Sequence, residues 1–506
     1  STPASHSRPI SSHSILSCDF FRFSDKCTLF TALAEMPGDA FVGKFVPLVH
    51  KMEKVGKNVV FSFDKQTGTI TQKQMRTSMD IRIPRTEKKR VVIVGGGFAG
   101  IKLVNKIDSR RYQIVLIDRN NYHQFPPLLY QVASGGLEPG SICFPFRKLF
   151  HREKDFYFRM ADVQKIVPEE NRIVTSIGDL DYDYLILAGG TTTNYYGNRA
   201  IEEHALPMKE VREALTLRTS LLLNLENALD DEDKQERRSL LNVVIVGGGA
   251  TGVEIAGAIA EMKRFIVPKD YPDLETRMHV YLIEGTDRLL GVMSESASRH
   301  AKKYLEDMRV RILLGKLVTD FRDGAVVLND GQTISTQALI WVSGVTAVRF
   351  EGIPKEKTGR GGRILVDAYN RLVGSENIFV VGDLCLQVQP GYPNGHPQVA
   401  QVAIQQGRCL AHNLNRIAQG KTPREFHYKD YGTMATVGRN KAVADFGKVH
   451  VHGFFAWAMW LVIHLRSILG VRNKLAVLLD WMWNYLTYDH SSRFIFFRPK
   501  KDETMG

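Results

Sequence analysis

The sequence predicts an α/β chain built from two parallel-sheet units, on three observations. The stretch VVIVGGGFAG at residues 91–100 nearly recurs as VVIVGGGATG at 243–252. After each copy comes a helical stretch and then an apolar strand ending in an acid: YQIVLID closes on Asp118 and MHVYLIE on Glu284. A late apolar segment, NIFVVGD, ends in Gly382-Asp383.

Each element has a physical reason. Val91 to Val94 are β-branched in a row, which suits a strand buried on both faces. Gly95, Gly97 and Gly100 make G-x-G-x-x-G. The first glycine permits the tight turn, the second lets the backbone approach a pyrophosphate, and the third lets the following helix pack on the strand. That helix, expected over Phe98 to Ile107, offers free N–H groups and a positive dipole end to the anion. Asp118 closes the next strand where a Rossmann unit places the acid that hydrogen-bonds a ribose. Gly247, Gly249, Gly252 and Glu284 repeat the whole arrangement. One such turn alone would be weak, since ordinary βαβ turns bind nothing; the duplicated set favours two dinucleotides. A carboxylate at Glu284 repels a 2′-phosphate, so NADH is expected over NADPH, although Arg288 lies nearby.

At 506 residues, a prior of roughly one domain per 150 residues gives about three domains. The composition, 44% hydrophobic and 24% charged, supports a sizeable core. Five scattered cysteines suggest neither a disulfide framework nor a metal site. The formal charge of +13 points to nucleic acid or an anionic membrane surface. No helix-turn-helix, zinc-finger or RNP pattern supports nucleic acid, so the membrane is favoured. No uncharged apolar run reaches 18 residues, so no spanning helix is expected.

Residues 1–87 show no sustained periodicity and read as a disordered extension or as sequence foreign to the working protein. Asp19 and Asp25 interrupt any transit-peptide pattern, and Met79 would be a natural beginning. The expected boundaries are a first nucleotide unit over 88–207, a second over 208–345, a return to the first over 346–435, and a tail over 436–506. LDDEDKQERRS at 229–239 reads as a solvated helix end or linker.

Two glycine motifs with a late Gly382-Asp383 resemble the two-dinucleotide-binding flavoproteins, in which an NAD(P)H domain is inserted into an FAD domain. The dithiol branch is excluded, because no cysteine lies between Gly95 and Ile142. DRNNYHQFPPLLYQVASG (118–135), VGGGATGVEIAG (246–257), WVSGV (341–345) and HPQVAQVAIQQG (396–407) resemble, in order, the type II NADH dehydrogenases, single-subunit NADH:quinone oxidoreductases. The tail GFFAWAMWLVIHLRSILGVRNK resembles that family's membrane-associated end, and the likeness covers about residues 80–500.

The resemblance implies tightly held, non-covalent FAD, NADH as substrate, a membrane quinone as acceptor, and no proton pumping. It implies cofactor contacts at Gly95, Gly97, Phe98, Ala99, Gly100, Asp118, Arg119, Val163, Gly382 and Asp383, and at Gly247, Gly249, Gly252, Glu284 and Gly344. Val163 would otherwise be a core valine. Lys441 is placed near flavin or quinone, or else on the surface. Glu254 is implied between nicotinamide and flavin, its alternative being a first-turn acid favoured by the helix dipole. Gln401 and Gln405 share one helix face at i, i+4. They are implied at the quinone site, on a helix expected to start at Pro397 and stop at Gly420, with Ala400 and Ala403 small enough to admit a flat ring.

In the tail, apolar residues at 454, 457, 461, 465 and 468 follow helical spacing. Residues 436–506 hold ten Lys/Arg against five Asp/Glu, a net of +5. Together these fit an amphipathic helix in the membrane interface, with packing on its own domain or on a second copy as alternatives. The expected location is the cytoplasmic face of a bacterial inner membrane, with a mitochondrial inner membrane second. The rival readings are a sulfide:quinone oxidoreductase using Cys143 and Cys385, and an NADH-sensing flavoprotein.

Overall fold

The computed structural model describes residues 59–64, 69–74, 80–274, 277–488 and 492–497. The chain divides into two compact units, Ser1–Asp80 and Ile81–Gly506. In the first, strands Val59–Asp64 and Thr69–Gln74 pair antiparallel. The remainder of the expected extension up to Met79 lies outside the described residues. Ile81 and Ile83 are buried in the second unit's core, so that unit begins at Ile81 rather than at Lys88.

Five parallel strands form the first sheet, in the order Ile378–Val380, Tyr184–Leu187, Lys89–Val94, Tyr112–Asp118, Phe156–Met160. Val92, Val94, Val115 and Ile117 enter one core, while Val91, Ile93, Ile114 and Leu116 enter another on the opposite face. Side chains alternate across a strand, so a run of branched apolar residues is what a sheet covered on both faces requires. Helix α1 (Phe98–Val104) follows the first glycine turn, and the short helix α2 (Leu129–Ala133) follows the second strand.

A second sheet of four parallel strands lies wholly between Leu187 and Ile378, in the order Val310–Leu314, His279–Glu284, Asn242–Val246, Ala338–Trp341. Its turn is followed by α3 (Ala250–Phe265), and α4 (Glu295–Asp307) leads to its edge strand. Because Ile378–Val380 returns to pair with Tyr184–Leu187, the segment that carries the four-stranded sheet is an insertion in the one that carries the five-stranded sheet. The chain leaves and re-enters through Thr191–Thr193 and Val345–Ala347, which pair antiparallel.

Helix α5 (Ala400–Ile417) packs on α1. It starts three residues after Pro397, and Gly420 at φ +68° closes its C-terminal end. Three antiparallel strands, Thr433–Thr436, Ala442–Phe446 and Val449–His452, then lead into α6 (Phe454–Ser467) and α7 (Val471–Thr487). Among the described residues no helix is long and apolar enough to cross a membrane.

Candidate active site

The two glycine turns are built alike, and each glycine is there for its own reason. Gly95 and Gly247 adopt φ +106° and +114°, a conformation that side chains rarely tolerate. A Cβ on Gly100 would lie 2.0 Å from the Gly95 carbonyl oxygen, and one on Gly252 would lie 1.7 Å from that of Gly247. Those two positions therefore belong to packing. The middle glycines differ: a Cβ on Gly97 or on Gly249 would meet nothing within 4 Å. Both keep ordinary negative φ, so the fold itself demands no glycine there. A bare backbone facing open space at a helix N-terminus fits a pyrophosphate pressed against it.

The strand-end acids are equivalent too. Asp118 accepts the Gly96 N–H at 2.6 Å and the Asn120 N–H at 2.8 Å. Glu284 accepts the Gly248 N–H at 2.6 Å, and the Thr286 N–H and hydroxyl at 2.8 and 2.9 Å. Each acid thus braces its own glycine turn. Burial raises the Asp118 pKa, against the lowering effect of those N–H groups. Arg288 donates one N–H to the Gly291 carbonyl at 2.7 Å.

What separates the two turns is Gly382-Asp383. The returning strand delivers Gly382, at φ +74°, beside Ala99 and Ala403; a Cβ there would sit 3.6 and 3.5 Å from their methyl groups. The Gly382 N–H donates to the buried Gln406 Oε1 at 2.7 Å. Asp383 is pushed up by burial, against Lys209 and Arg363, and no protein hydrogen bond reaches its carboxylate among the described residues. A buried acceptor left open beside the first turn, and only that turn, suits the hydroxyls of a flavin's ribityl chain. Gln406 and Gly407 lie within the HPQVAQVAIQQG segment, where the sequence assigns neither a role of its own. A Cβ on Gly407 would come within 2.5 Å of the Ala99 carbonyl oxygen, so this glycine sets how closely α5 approaches α1. Ala403 has the same use: its methyl is buried against the first-sheet core.

The other residues that the resemblance implies make the following contacts within the protein. Gln401 and Gln405 do share one face of α5, but both amides engage backbone. Gln401 donates to the Gly432 carbonyl at 2.7 Å and accepts from the Tyr431 N–H at 3.0 Å. Gln405 closes the same pair of bonds on Lys429, at 2.8 and 3.0 Å. Lys441 lies at the surface, with its Nζ 3.5 Å from Asp307 and over the Tyr304 ring, so it is not brought to the first turn. Arg119 faces Glu210 at 3.8 Å. Val163 packs against the core at a register break between it and Lys165. Phe98 meets His123 and Phe125 edge-on. Gly344 adopts φ +97°, and a Cβ on it would strike the Tyr196 hydroxyl.

Glu254 is the fifth residue of α3 and so lies past its first turn, which corrects the expected first-turn placement. The helix-dipole alternative weakens accordingly. The Glu254 residue keeps some exposed surface, yet protein surrounds it, and that burial pushes its pKa up to about 8. Among the described residues, the one bond to its carboxylate is the Thr436 N–H at 3.4 Å. Cys143 and Cys385 are both pushed up to about 12 by burial, which keeps them as thiols rather than nucleophilic thiolates.

Beyond Glu254, a cavity of about 570 Å³ lies between α2, α3 and the tail helices. Tyr130, Gln131, Trp457, Trp460, Leu465 and Trp481 are among its lining residues. On α6, Ala456 and Trp460 are buried and Trp457, Leu461 and Leu465 are half-buried, while Phe455, Val462 and Ile463 are exposed; Phe454, expected on the same stripe as Trp457, is exposed as well. Helix α6 is thus apolar nearly all round.

A family model described as pyridine nucleotide-disulphide oxidoreductase matches residues 89–407, and one described as NDH2 C-terminal domain matches residues 431–488. A type II NADH:quinone oxidoreductase of Mycobacterium tuberculosis is 34% identical over 416 residues, covering 79% of this chain and 89% of that protein. A mitochondrial internal alternative NAD(P)H-ubiquinone oxidoreductase of Arabidopsis thaliana is 29% identical, over 79% of this chain and 84% of its own. Among solved structures, NDH2 of Plasmodium falciparum in complex with NADH superposes with a TM-score of 0.74 at 21% identity, covering 81% of this chain and all of that one. The sulfide:quinone oxidoreductase of Aquifex aeolicus superposes at 0.62 with 17% identity, over 79% and 96% of the two chains.

Proposed function

Because the chain belongs to the type II NADH:quinone oxidoreductases, we propose that its two glycine turns divide one reaction between them, FAD at the first and NADH at the second. The enzyme oxidises NADH and reduces a quinone. Bound FAD supplies the two-electron chemistry that joins the two. The observation that carries the division is Gly382-Asp383, which the returning strand brings to the first turn alone.

The residues then have distinct tasks. Gly97 and Gly249 admit the two pyrophosphates, and Asp118 and Glu284 take the riboses while bracing the turns. Asp383 offers its open carboxylate to the ribityl chain. Glu254, with a pKa of about 8, is largely protonated at neutral pH and can donate a hydrogen bond or a proton at its Oε atoms. Gln401 and Gln405 hold Lys429–Gly432 as a wall of the quinone site rather than presenting free amides.

The apolar cavity beside the tail supports an approach for quinone from a membrane. Exposed Phe455, Val462, Val471, Leu479, Trp483 and Leu486 give α6 and α7 a broad apolar surface, with Arg466, Arg472 and Lys474 alongside. That combination supports peripheral attachment to an anionic surface. We place it on the side where NADH is available, the cytoplasmic face of a bacterial inner membrane. A homodimer would cover the same surface and competes with lipid for it.

The division between turns is tested by removing one contact from each. Asp383→Ala should purify with less flavin yet still bind NADH, measured by tryptophan quenching. Gly249→Ala should keep its flavin and lose NADH affinity. The opposite pattern would invert the assignment.

A further inference from the structure

A line of hydrogen bonds runs from the tail to Glu254. The Trp481 indole N–H, on α7, donates to Gln131 Oε1 at 2.7 Å. Gln131 Nε2 donates to the Tyr130 hydroxyl at 2.8 Å, and that hydroxyl shares a hydrogen bond with Thr436 Oγ1 at 3.0 Å. Thr436 then donates its backbone N–H to Glu254. One turn along α7, Asn484 Nδ2 donates to the Gly136 carbonyl at 2.8 Å and fixes the same helix to the end of α2. Tyr130 and Thr436 are buried, so neither hydroxyl can exchange its partner for water cheaply.

Glu254 has few other determinants. Tyr130 is the titratable group facing it from α2, and burial raises that phenol's pKa further, with Glu254 second among the causes. On its own helix Glu261 lies two turns on and accepts the Arg439 N–H at 2.6 Å. Arg439, Arg264 and Lys441 act on Glu261 and not on Glu254. Arg439 in turn caps α7 by donating to the Tyr485 carbonyl at 2.9 Å and to that of Asn484. Among the described residues Glu254 has one hydrogen bond and no ionic partner, and such a group responds to any change in that bond.

We propose that Tyr130 and Gln131 are positioning residues for Glu254, and that they couple the seating of α7 to the protonation of that carboxyl. When α7 lifts or tilts, Trp481 releases Gln131, Tyr130 loses its fixed donor, and Thr436 is no longer held toward Glu254. The carboxylate form then loses its one stabilising bond, so the group holds its proton to higher pH. Attachment of the tail to a surface would thereby be felt at the second glycine helix.

The test follows the Glu254 carboxyl itself, by infrared titration of its protonated C=O band in the FAD-loaded full chain. The band is assigned by its loss in Glu254→Gln. Tyr130→Phe should raise the midpoint by about half a pH unit or more, roughly a threefold change in the ratio of protonated to ionised forms. Trp481→Phe, which keeps a ring and removes only the N–H, should shift it the same way by less, while Trp483→Phe on the exposed side of α7 should not. Vesicles of phosphatidylglycerol and phosphatidylcholine should move the wild-type midpoint and leave Trp481→Phe unmoved. Flavin content and melting temperature report on folding; if Tyr130→Phe fails to fold, the Trp481 pair decides alone. An unmoved midpoint in the folded variants overturns the proposal. The kinetic consequence rests on the catalytic reading of Glu254. If the midpoint shifts and the alkaline limb of quinone reduction does not follow, the relay stands and that reading falls.

Discussion

Replacing Glu254 by glutamine should stabilise the enzyme above pH 5, and by an amount the structure sets. The carboxyl titrates near 8 in the folded chain against an ordinary 4.5. A raised carboxyl pKa means that the folded state binds a proton which the unfolded state has released. Its stability is therefore full below about 4.5, is lost as pH rises from 4.5 to 8, and stays low above. The shift corresponds to roughly 5 kcal/mol at most, of which about 3 has been lost by pH 7. Residual exposure of the side chain screens part of this, leaving about 1–3 kcal/mol. A unit spanning 81–506 has an unfolding entropy near 0.9 kcal/mol/K, so the variant should melt about 1–3 °C higher at pH 8. The introduced glutamine can still accept the Thr436 N–H, so little else changes. Scanning calorimetry of the FAD-loaded protein between pH 4.5 and 8.5 measures this. The two melting curves should converge near pH 4.5 and separate with rising pH. A constant offset, or a less stable variant at pH 8, would refute the burial argument.

Gly97→Ala should leave the melting temperature of flavin-free protein within about 1 °C, because its Cβ meets nothing, yet lower the flavin retained on gel filtration. Gly407→Ala forces a Cβ against the Ala99 carbonyl and should cost about 1–3 kcal/mol in denaturant unfolding. Glu284→Ser should narrow the preference for NADH over NADPH by about tenfold in kcat/KM, roughly 1.4 kcal/mol. Phe455→Asp with Leu486→Asp should abolish co-sedimentation with anionic vesicles while soluble short-chain quinone turnover persists.

Most of the nucleotide architecture was legible because it is local. Four branched residues before a glycine turn specify a covered strand, and the strand Tyr112–Asp118 falls where its alternation ends in an acid. The insertion was legible only through resemblance, since nothing local says that Ile378–Val380 pairs with Tyr184–Leu187 rather than extending the second sheet. The glutamines show the limit most clearly. Helical spacing placed Gln401 and Gln405 on one face, but spacing is silent about what a loop some thirty residues on will offer them. Gln406, one position away, points to Gly382 instead and has no sequence signal beyond its neighbours. Lys441 likewise met Asp307 of the inserted unit, a partner 134 residues distant. In the tail, helical spacing at 454, 457, 461 and 465 falls on α6, but Ile468 lies past its end and Phe454 is exposed, because packing buries Ala456 and Trp460, a face that the spacing did not mark.

The most direct measurement of the whole account is an anaerobic one on the full chain as purified. NADH is added to the flavin-loaded protein, then a short-chain quinone, while the flavin absorbance is followed. The account predicts bleaching by one equivalent of NADH, a much weaker response to NADPH, and prompt recovery on quinone. Bleaching by sulfide but not by NADH would contradict it and return the chemistry to Cys143 and Cys385.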